Sequence, residues 1–140
     1  MKVILSLFYL GYFRYAPGTL ASLVTMLLCY FFIPMEFLVL LFLFTSILGF
    51  YFCYFFTKIN KQKDPSYIVI DEAAGMLLCL LFLPKNILLY LVAFLLFRFF
   101  DILKPSFIFN SQDFNNGVGI MVDDIISGLV VNILLINYYF

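Results

Sequence analysis

Long apolar runs, separated by short breaks that carry charge, proline or glycine, dominate the sequence. Residues 37–57 contain no charged side chain, and their number lies within the roughly 17–25 residues that a membrane-spanning helix needs. Four more runs have the same character, although charges interrupt three of them near one end: 19–33, 68–83, 87–103 and 119–140. The pattern predicts an all-α fold, a polytopic transmembrane helix bundle of about five spans.

The first apolar run is too short to be a further span. It covers residues 3–13 after Lys2, and a run of that length is typical of interfacial or re-entrant segments. A signal peptide begins in a similar way, but no small-residue cleavage site follows. We therefore expect a short N-terminal interfacial or re-entrant helix, and a single membrane-embedded domain over residues 1–140.

Composition supports lipid as the main solvent of the protein. Hydrophobic residues make up 66% of the chain, charged residues 11%, and mean hydropathy is +1.12, whereas a soluble domain carries about 25% charged residues. Basic and acidic residues cancel, so net charge gives no indication of nucleic-acid binding. Histidine is absent, which excludes an imidazole base, nucleophile or metal ligand.

The basic residues determine the expected orientation. Short cytoplasmic loops are enriched in lysine and arginine, and a cytoplasmic N-terminus followed by five spans leaves only Lys85 outside. The other seven basic residues then fall on the cytoplasmic side: Lys2, Arg14, Lys58, Lys61, Lys63, Arg98 and Lys104.

The same orientation gathers the membrane-flanking acidic residues at the cytoplasmic face. Glu36 is the one exception and lies outside. Acids at membrane depth are costly and are usually functional. Five carboxylates at one depth would repel one another, and a bound divalent cation would relieve that repulsion. We expect these residues to hold metal and to take part in catalysis: Asp71, Glu72, Asp101, Asp123 and Asp124.

The residue types narrow the chemistry. Carboxylates without histidine or thiolate suit Mg²⁺, Mn²⁺ or Ca²⁺. Arg98 and Lys104 flank Asp101 and are candidates to bind phosphate, although an ion pair between Arg98 and Asp101 explains that arginine equally well. The glycine-preceded helix start at Thr19 is a third candidate, since backbone N–H groups at such starts favour phosphate. The sequence therefore predicts metal-assisted attack of water on the phosphorus of a phosphorylated substrate at the inner face of the membrane.

Two other functions fit a carboxylate-rich membrane bundle. A small cation carrier or channel subunit is the main alternative, but transport paths usually place ionisable groups near the midplane of the bilayer. The acids here lie near one face, which favours an interfacial enzyme. An enzyme similar to the CDP-alcohol transferases is a further alternative, and its Asp-Gly and Asp-x-x-x-Asp signature is absent.

Four separate motifs resemble those of the phosphatidylglycerophosphatase A family. They are Ala16-Pro17-Gly18-Thr19, then Ile70-Asp71-Glu72 with Gly75, then Phe97-Arg98 with Asp101 and Lys104-Pro105, and finally Gly117-Val118-Gly119-Ile120-Met121-Val122-Asp123-Asp124 with Gly128. The resemblance implies a magnesium-dependent enzyme of the bacterial inner membrane. Its expected substrate is phosphatidylglycerophosphate in the cytoplasmic leaflet, from which it removes the terminal phosphate to leave phosphatidylglycerol. Lys104 is expected to have a catalytic as well as a phosphate-binding role.

Overall fold

The computed structural model describes residues 2–60, 67–103 and 117–140, and every regular element within these ranges is helical. Each of the five long apolar runs forms one helix, which confirms the all-α class. The elements are α1 (Lys2–Leu5), a short 3-10 helix (Leu10–Tyr12), α2 (Pro17–Phe31), α3 (Met35–Asn60), α4 (Ile70–Leu80), α5 (Ile87–Leu103) and α6 (Val118–Tyr139).

Helix α4 lies at the centre of the bundle and packs against α2, α3, α5 and α6. All of its residues except Glu72 are buried. A helix that is apolar on every side loses contact with solvent only when other helices surround it, and the sequence of α4 has this character after its two acids. The most buried helix of the bundle is therefore the one that begins with Asp71 and Glu72.

Glycines allow α4 and α6 to cross at close range. A Cβ at Gly128 would overlap the backbone carbonyl of Gly75, and a Cβ at Gly75 would come within 2.7 Å of the carbonyl oxygen of Asp124. The thiol of Cys79 also donates to the carbonyl oxygen of Gly128 at 3.6 Å. Small residues at a crossing let helix backbones approach one another, so this contact holds the first turns of α4 and α6 side by side.

Helix lengths differ from the expected five full-length spans. Among the described residues, two helices are long and apolar enough to cross a membrane, Met35–Ile59 and Val118–Tyr139. The other three helices, α2, α4 and α5, contain 15, 11 and 17 residues. The prediction of five full-length spans is therefore too high, and α4 is the helix that falls furthest short of that length.

Asn132 explains why α4 is short. Its Nδ2 donates to the carbonyl oxygens of Cys79 at 3.1 Å and of Leu81 at 2.7 Å, which would otherwise lack partners at the end of the helix. Phe82 then adopts a left-handed backbone with φ 63°. Irregular backbone is tolerated at membrane depth where protein surrounds it and satisfies its polar groups. Helix α4 thus ends inside the bundle instead of continuing to Pro84.

The N-terminal run does not form one continuous helix over residues 3–13. Helix α1 ends at Leu5, and Leu7, Phe8 and Tyr9 follow with φ of 46°, 55° and 72°, a left-handed region that bulky residues rarely adopt. The reversal docks this segment against the residues before α4, because the carbonyl oxygen of Leu5 accepts from Val69 N at 2.9 Å.

The outer surface of α3 is apolar along its length. Exposed aromatic and aliphatic side chains of this extent on a water-facing helix would form a large aggregation-prone patch, and hydrocarbon is the environment that suits them. The exposed residues include Phe37, Leu40, Leu43, Phe44, Ile47 and Tyr51.

Candidate functional site

The first turn of α4 supplies two carboxylates to one end of the bundle. Asp71 and Glu72 are the first acids of the helix, where the helix dipole favours negative charge. Asp71 is only 8% exposed, and one of its oxygens lies within 4.8 Å of a carboxylate oxygen of Glu72. Two adjacent acids are thus held together in a place that water barely reaches.

The first turns of α6 bring two more carboxylates to the same end. Asp123 and Asp124 are 4% and 3% exposed. Helix α6 starts at Gly117, whose φ of 74° is left-handed and suits glycine. The glycine crossing described above then sets Asp124 against the start of α4.

Three of these carboxylates form a compact group. Ligand oxygens from Asp71, Glu72 and Asp124 all lie within 4.8 Å of one another. Within the described part of the chain, Asp71 Oδ1, Glu72 Oε2 and Asp124 Oδ2 are buried without hydrogen-bond partners. Unpaired buried oxygens are costly. Since all three donors are carboxylates, the group fits a hard divalent cation of the Mg²⁺ or Mn²⁺ type.

The end of α5 adds an ion pair beside this group. Arg98 Nη1 lies 2.6 Å from Asp101 Oδ2, and both side chains are largely buried. The Asp101 carboxylate also acts electrostatically on Asp124 and on Glu72. Arg98 Nε is buried with no hydrogen-bond partner among the described residues. This arginine therefore balances part of the negative charge and keeps a donor for a further acceptor.

The start of α2 is the fourth helix end at the site, after those of α4, α6 and α5. Gly18 is buried, and a Cβ there would overlap the Oε1 atom of Glu72. Ala16, the residue before the helix, provides no side-chain cap to the backbone N–H groups of the first turn. Thr19 follows Gly18 in this turn and is half-buried. Free N–H groups at a helix start favour anions.

Most residues expected at the site converge on it. Asp71, Glu72 and Asp124 share the compact group, Asp101 and Arg98 adjoin it, and Thr19 lies in the helix turn next to it. Asp123 is buried beside Asp124 but is not one of the three grouped acids. Lys104 lies outside the described residues, so its expected role stays a prediction.

Sequence reasoning did not identify Asn132, which caps the end of α4, the helix that carries Asp71 and Glu72. One signal was present, because an amide in the middle of the apolar run 119–140 is unusual at membrane depth. Gly18 was noted only as part of a helix start. That it makes room for Glu72 depends on the packing of α2 against α4, which sequence spacing does not give.

The chain is similar to proteins of the phosphatidylglycerophosphatase A family. The family model of phosphatidylglycerophosphatase A matches residues 3–139. The chain is 35% identical over 136 residues to phosphatidylglycerophosphatase A of Haemophilus influenzae, covering 92% of this chain and 83% of the relative. It is 34% identical over 118 residues to the Escherichia coli protein of the same name, covering 81% of this chain and 69% of the relative.

A third relative has a different name. A protein of Bacteroides thetaiotaomicron, provisionally named a phosphatidylinositol-3-phosphatase, is 34% identical over 140 residues, covering 89% of this chain and 84% of the relative. No solved structure matches the chain. The match of the family model over nearly the whole chain, with relatives above 30% identity, shows the family. The chain belongs to the phosphatidylglycerophosphatase A family and is a phosphatase enzyme.

Proposed function

We propose that the protein hydrolyses the terminal phosphate monoester of phosphatidylglycerophosphate, leaving phosphatidylglycerol and inorganic phosphate. The observation that carries this proposal is the buried group of Asp71, Glu72 and Asp124, whose unpaired oxygens adjoin Arg98. A phosphate monoester offers several anionic oxygens, and a cation plus an arginine is the kind of partner they require. The choice of substrate follows from the name of two relatives, phosphatidylglycerophosphatase A.

The three grouped carboxylates would hold Mg²⁺, with Asp101 and Asp123 beside them. A bound Mg²⁺ neutralises charge that builds up on the phosphate oxygens and helps to activate water. Arg98 directs its free Nε donor at a phosphate oxygen and keeps its ion pair with Asp101. The N–H groups around Gly18 and Thr19 and the ammonium of Lys104 bind further phosphate oxygens. One cation site and several hydrogen-bond donors together accommodate the dianionic terminal phosphate of the headgroup.

In the reaction, the oxygen of water forms a bond to phosphorus while the bond from phosphorus to the ester oxygen breaks. One carboxylate of the cluster takes the proton that water gives up. That proton then passes to the ester oxygen, which leaves as the terminal hydroxyl of phosphatidylglycerol. The products are that neutral alcohol group and inorganic phosphate, so no oxidant or second substrate is required.

We place this site at the cytoplasmic face of the bacterial inner membrane, in a multi-pass arrangement. Three of the four helices whose ends form the site, α2, α4 and α5, are short, and protein surrounds α4 on all sides. Shorter helices can reach across where neighbouring elements or local thinning of the bilayer make up the difference. The cation-carrier alternative is less favoured, because the acidic cluster lies at one end of the bundle.

Phosphate release from defined lipids tests the proposal. Purified protein in mixed micelles should release phosphate from phosphatidylglycerophosphate, and a chelator should stop the release until Mg²⁺ is restored. Phosphatidylinositol 3-phosphate and phosphatidic acid complete the panel, since one relative is provisionally named for the former substrate. Faster turnover of another lipid would overturn the proposed substrate. Undiminished turnover in excess chelator, with metal removal verified, would overturn the role of the cation.

A further inference from the structure

A groove of about 310 Å³ lies between the N-terminal segment, α2, α3 and α4. We propose that this groove holds one acyl chain of the lipid phosphate while the headgroup lies at the acidic cluster. The inference rests on the proposed function and adds to it that the enzyme recognises a long-chain lipid by its hydrocarbon as well as by its phosphate.

The lining of the groove suits hydrocarbon and not water. Its two hydroxyl-bearing residues, Thr25 and Thr45, both turn their hydroxyls to their own helices. Thr25 Oγ1 donates to the carbonyl oxygen of Ala21 at 2.8 Å, and Thr45 Oγ1 donates to that of Leu41 at 2.8 Å. A water molecule in a cavity needs roughly two to four polar partners. Since the groove offers almost none, its occupant is apolar.

One wall of the groove reaches the turn of α4 that carries two acids of the cluster. Ala73 forms part of its wall and directly follows Glu72, which contacts Gly18 at the start of α2. On α2 the wall begins at Val24, six residues after Gly18 and so about 9 Å along the helix. It then follows α2 to beyond its last turn, about 10 Å further. One leaflet of a bilayer is about 15 Å deep in hydrocarbon, so most of one chain fits alongside α2.

The rim of the groove is open to the surroundings of the protein. Phe8 and Leu28 line it and are 85% and 46% exposed. A lipid whose phosphate lies at the cluster has its chains attached to the same glycerol unit, so they must leave the site through nearby apolar space. The groove is such a space: one chain enters it between Phe8 and Leu28, and the other remains in the bilayer.

Filling the groove tests the proposal. Val24→Phe places an aromatic ring in the groove, and Val92→Phe makes the same change on α5, where Val92 is 45% exposed and outside the groove. On a dioleoyl substrate, Val24→Phe should lower kcat/KM by roughly tenfold, the size of a typical overpacking effect. On a dihexanoyl substrate, whose chains are too short to fill the groove, the two variants should both match the unchanged protein. Equal losses on both substrates, or no loss on either, would overturn the proposal.

A labelling experiment separates this proposal from the proposed function. Phosphatidylglycerophosphate with a diazirine on one acyl chain should label peptides that contain Thr25 and Cys29, and Val24→Phe should abolish that labelling. Turnover of this lipid without labelling of α2 would overturn the groove and leave the function intact. Labelling of α2 by phosphatidylglycerophosphate without release of its terminal phosphate would support the groove and overturn the proposed function.

Discussion

Gly18 at the start of α2 lies against the carboxylate of Glu72, with no room for a Cβ between them. The atom that a Cβ would meet is the far end of a flexible side chain. A change at this position therefore moves the carboxylate and leaves the backbones of α2 and α4 in place.

Gly18→Ala should consequently lower turnover in a protein that still inserts and purifies. Displacing one of three grouped carboxylates disturbs a site whose positioning is commonly worth about 10²–10⁴ in rate, so a loss toward the lower end is expected. Phosphate release per folded molecule measures it. Gly49→Ala is the matched control, because its Cβ would meet the flexible end of Met121 and no carboxylate. Similar activities of these two variants would contradict the Gly18–Glu72 relationship.

The two neighbouring acids of α6 should differ in their effect on metal binding. Asp124 is grouped with Asp71 and Glu72, whereas Asp123 is not. Asp124→Asn should weaken Mn²⁺ binding by at least about 10–100-fold, since losing even an outer-shell partner has effects of that size. Asp123→Asn should weaken it less, although turnover falls in both. Binding titrations followed by electron paramagnetic resonance give the comparison, and equal losses of affinity would show that both acids hold the metal.

This pair also shows what the sequence was able to predict. Hydropathy and basic-residue placement were enough to bring the acids of three helices to one depth, and the structure gathers them there. Adjacent residues on a helix point about 100° apart, so choosing between Asp123 and Asp124 requires the rotation of α6. That rotation follows from the contact between Gly128 and Gly75, two residues that lie far apart in the sequence.

The length of α4 could not be predicted from the local sequence pattern. The apolar run 68–83 continues to Pro84 without an internal breaker, so local pattern predicts a helix of that length. The actual end depends on Asn132, which lies more than fifty residues later in the chain and pairs with the carbonyls of Cys79 and Leu81. Long-range side-chain caps of this kind leave no trace in the local pattern.

Asn132→Leu should therefore destabilise the protein without removing any group of the site. Two buried carbonyl oxygens would lose their donor, and leaving such groups unsatisfied costs about 1–3 kcal/mol. Thermal unfolding in detergent should show the loss. Asn137→Leu serves as the control, because its amide is exposed and bonds within its own helix to the carbonyl oxygen of Ile133 at 2.9 Å. A midpoint for Asn132→Leu equal to that of the control would contradict the capping role.

Orientation in the membrane is tested by chemical labelling. Lys85 lies at the end of the bundle opposite the acidic cluster, and its Nζ donates to the carbonyl oxygen of Tyr30 at 3.3 Å. A cytoplasmic site puts this residue outside. Lys85→Cys should react with an impermeant thiol reagent in intact spheroplasts, and Lys61→Cys should react only after the membrane is opened. The native thiols of Cys29, Cys53 and Cys79 are buried, so their background labelling should be low. The reverse pattern would place the acidic cluster outside the cytoplasm, where a substrate of the cytoplasmic leaflet does not reach it.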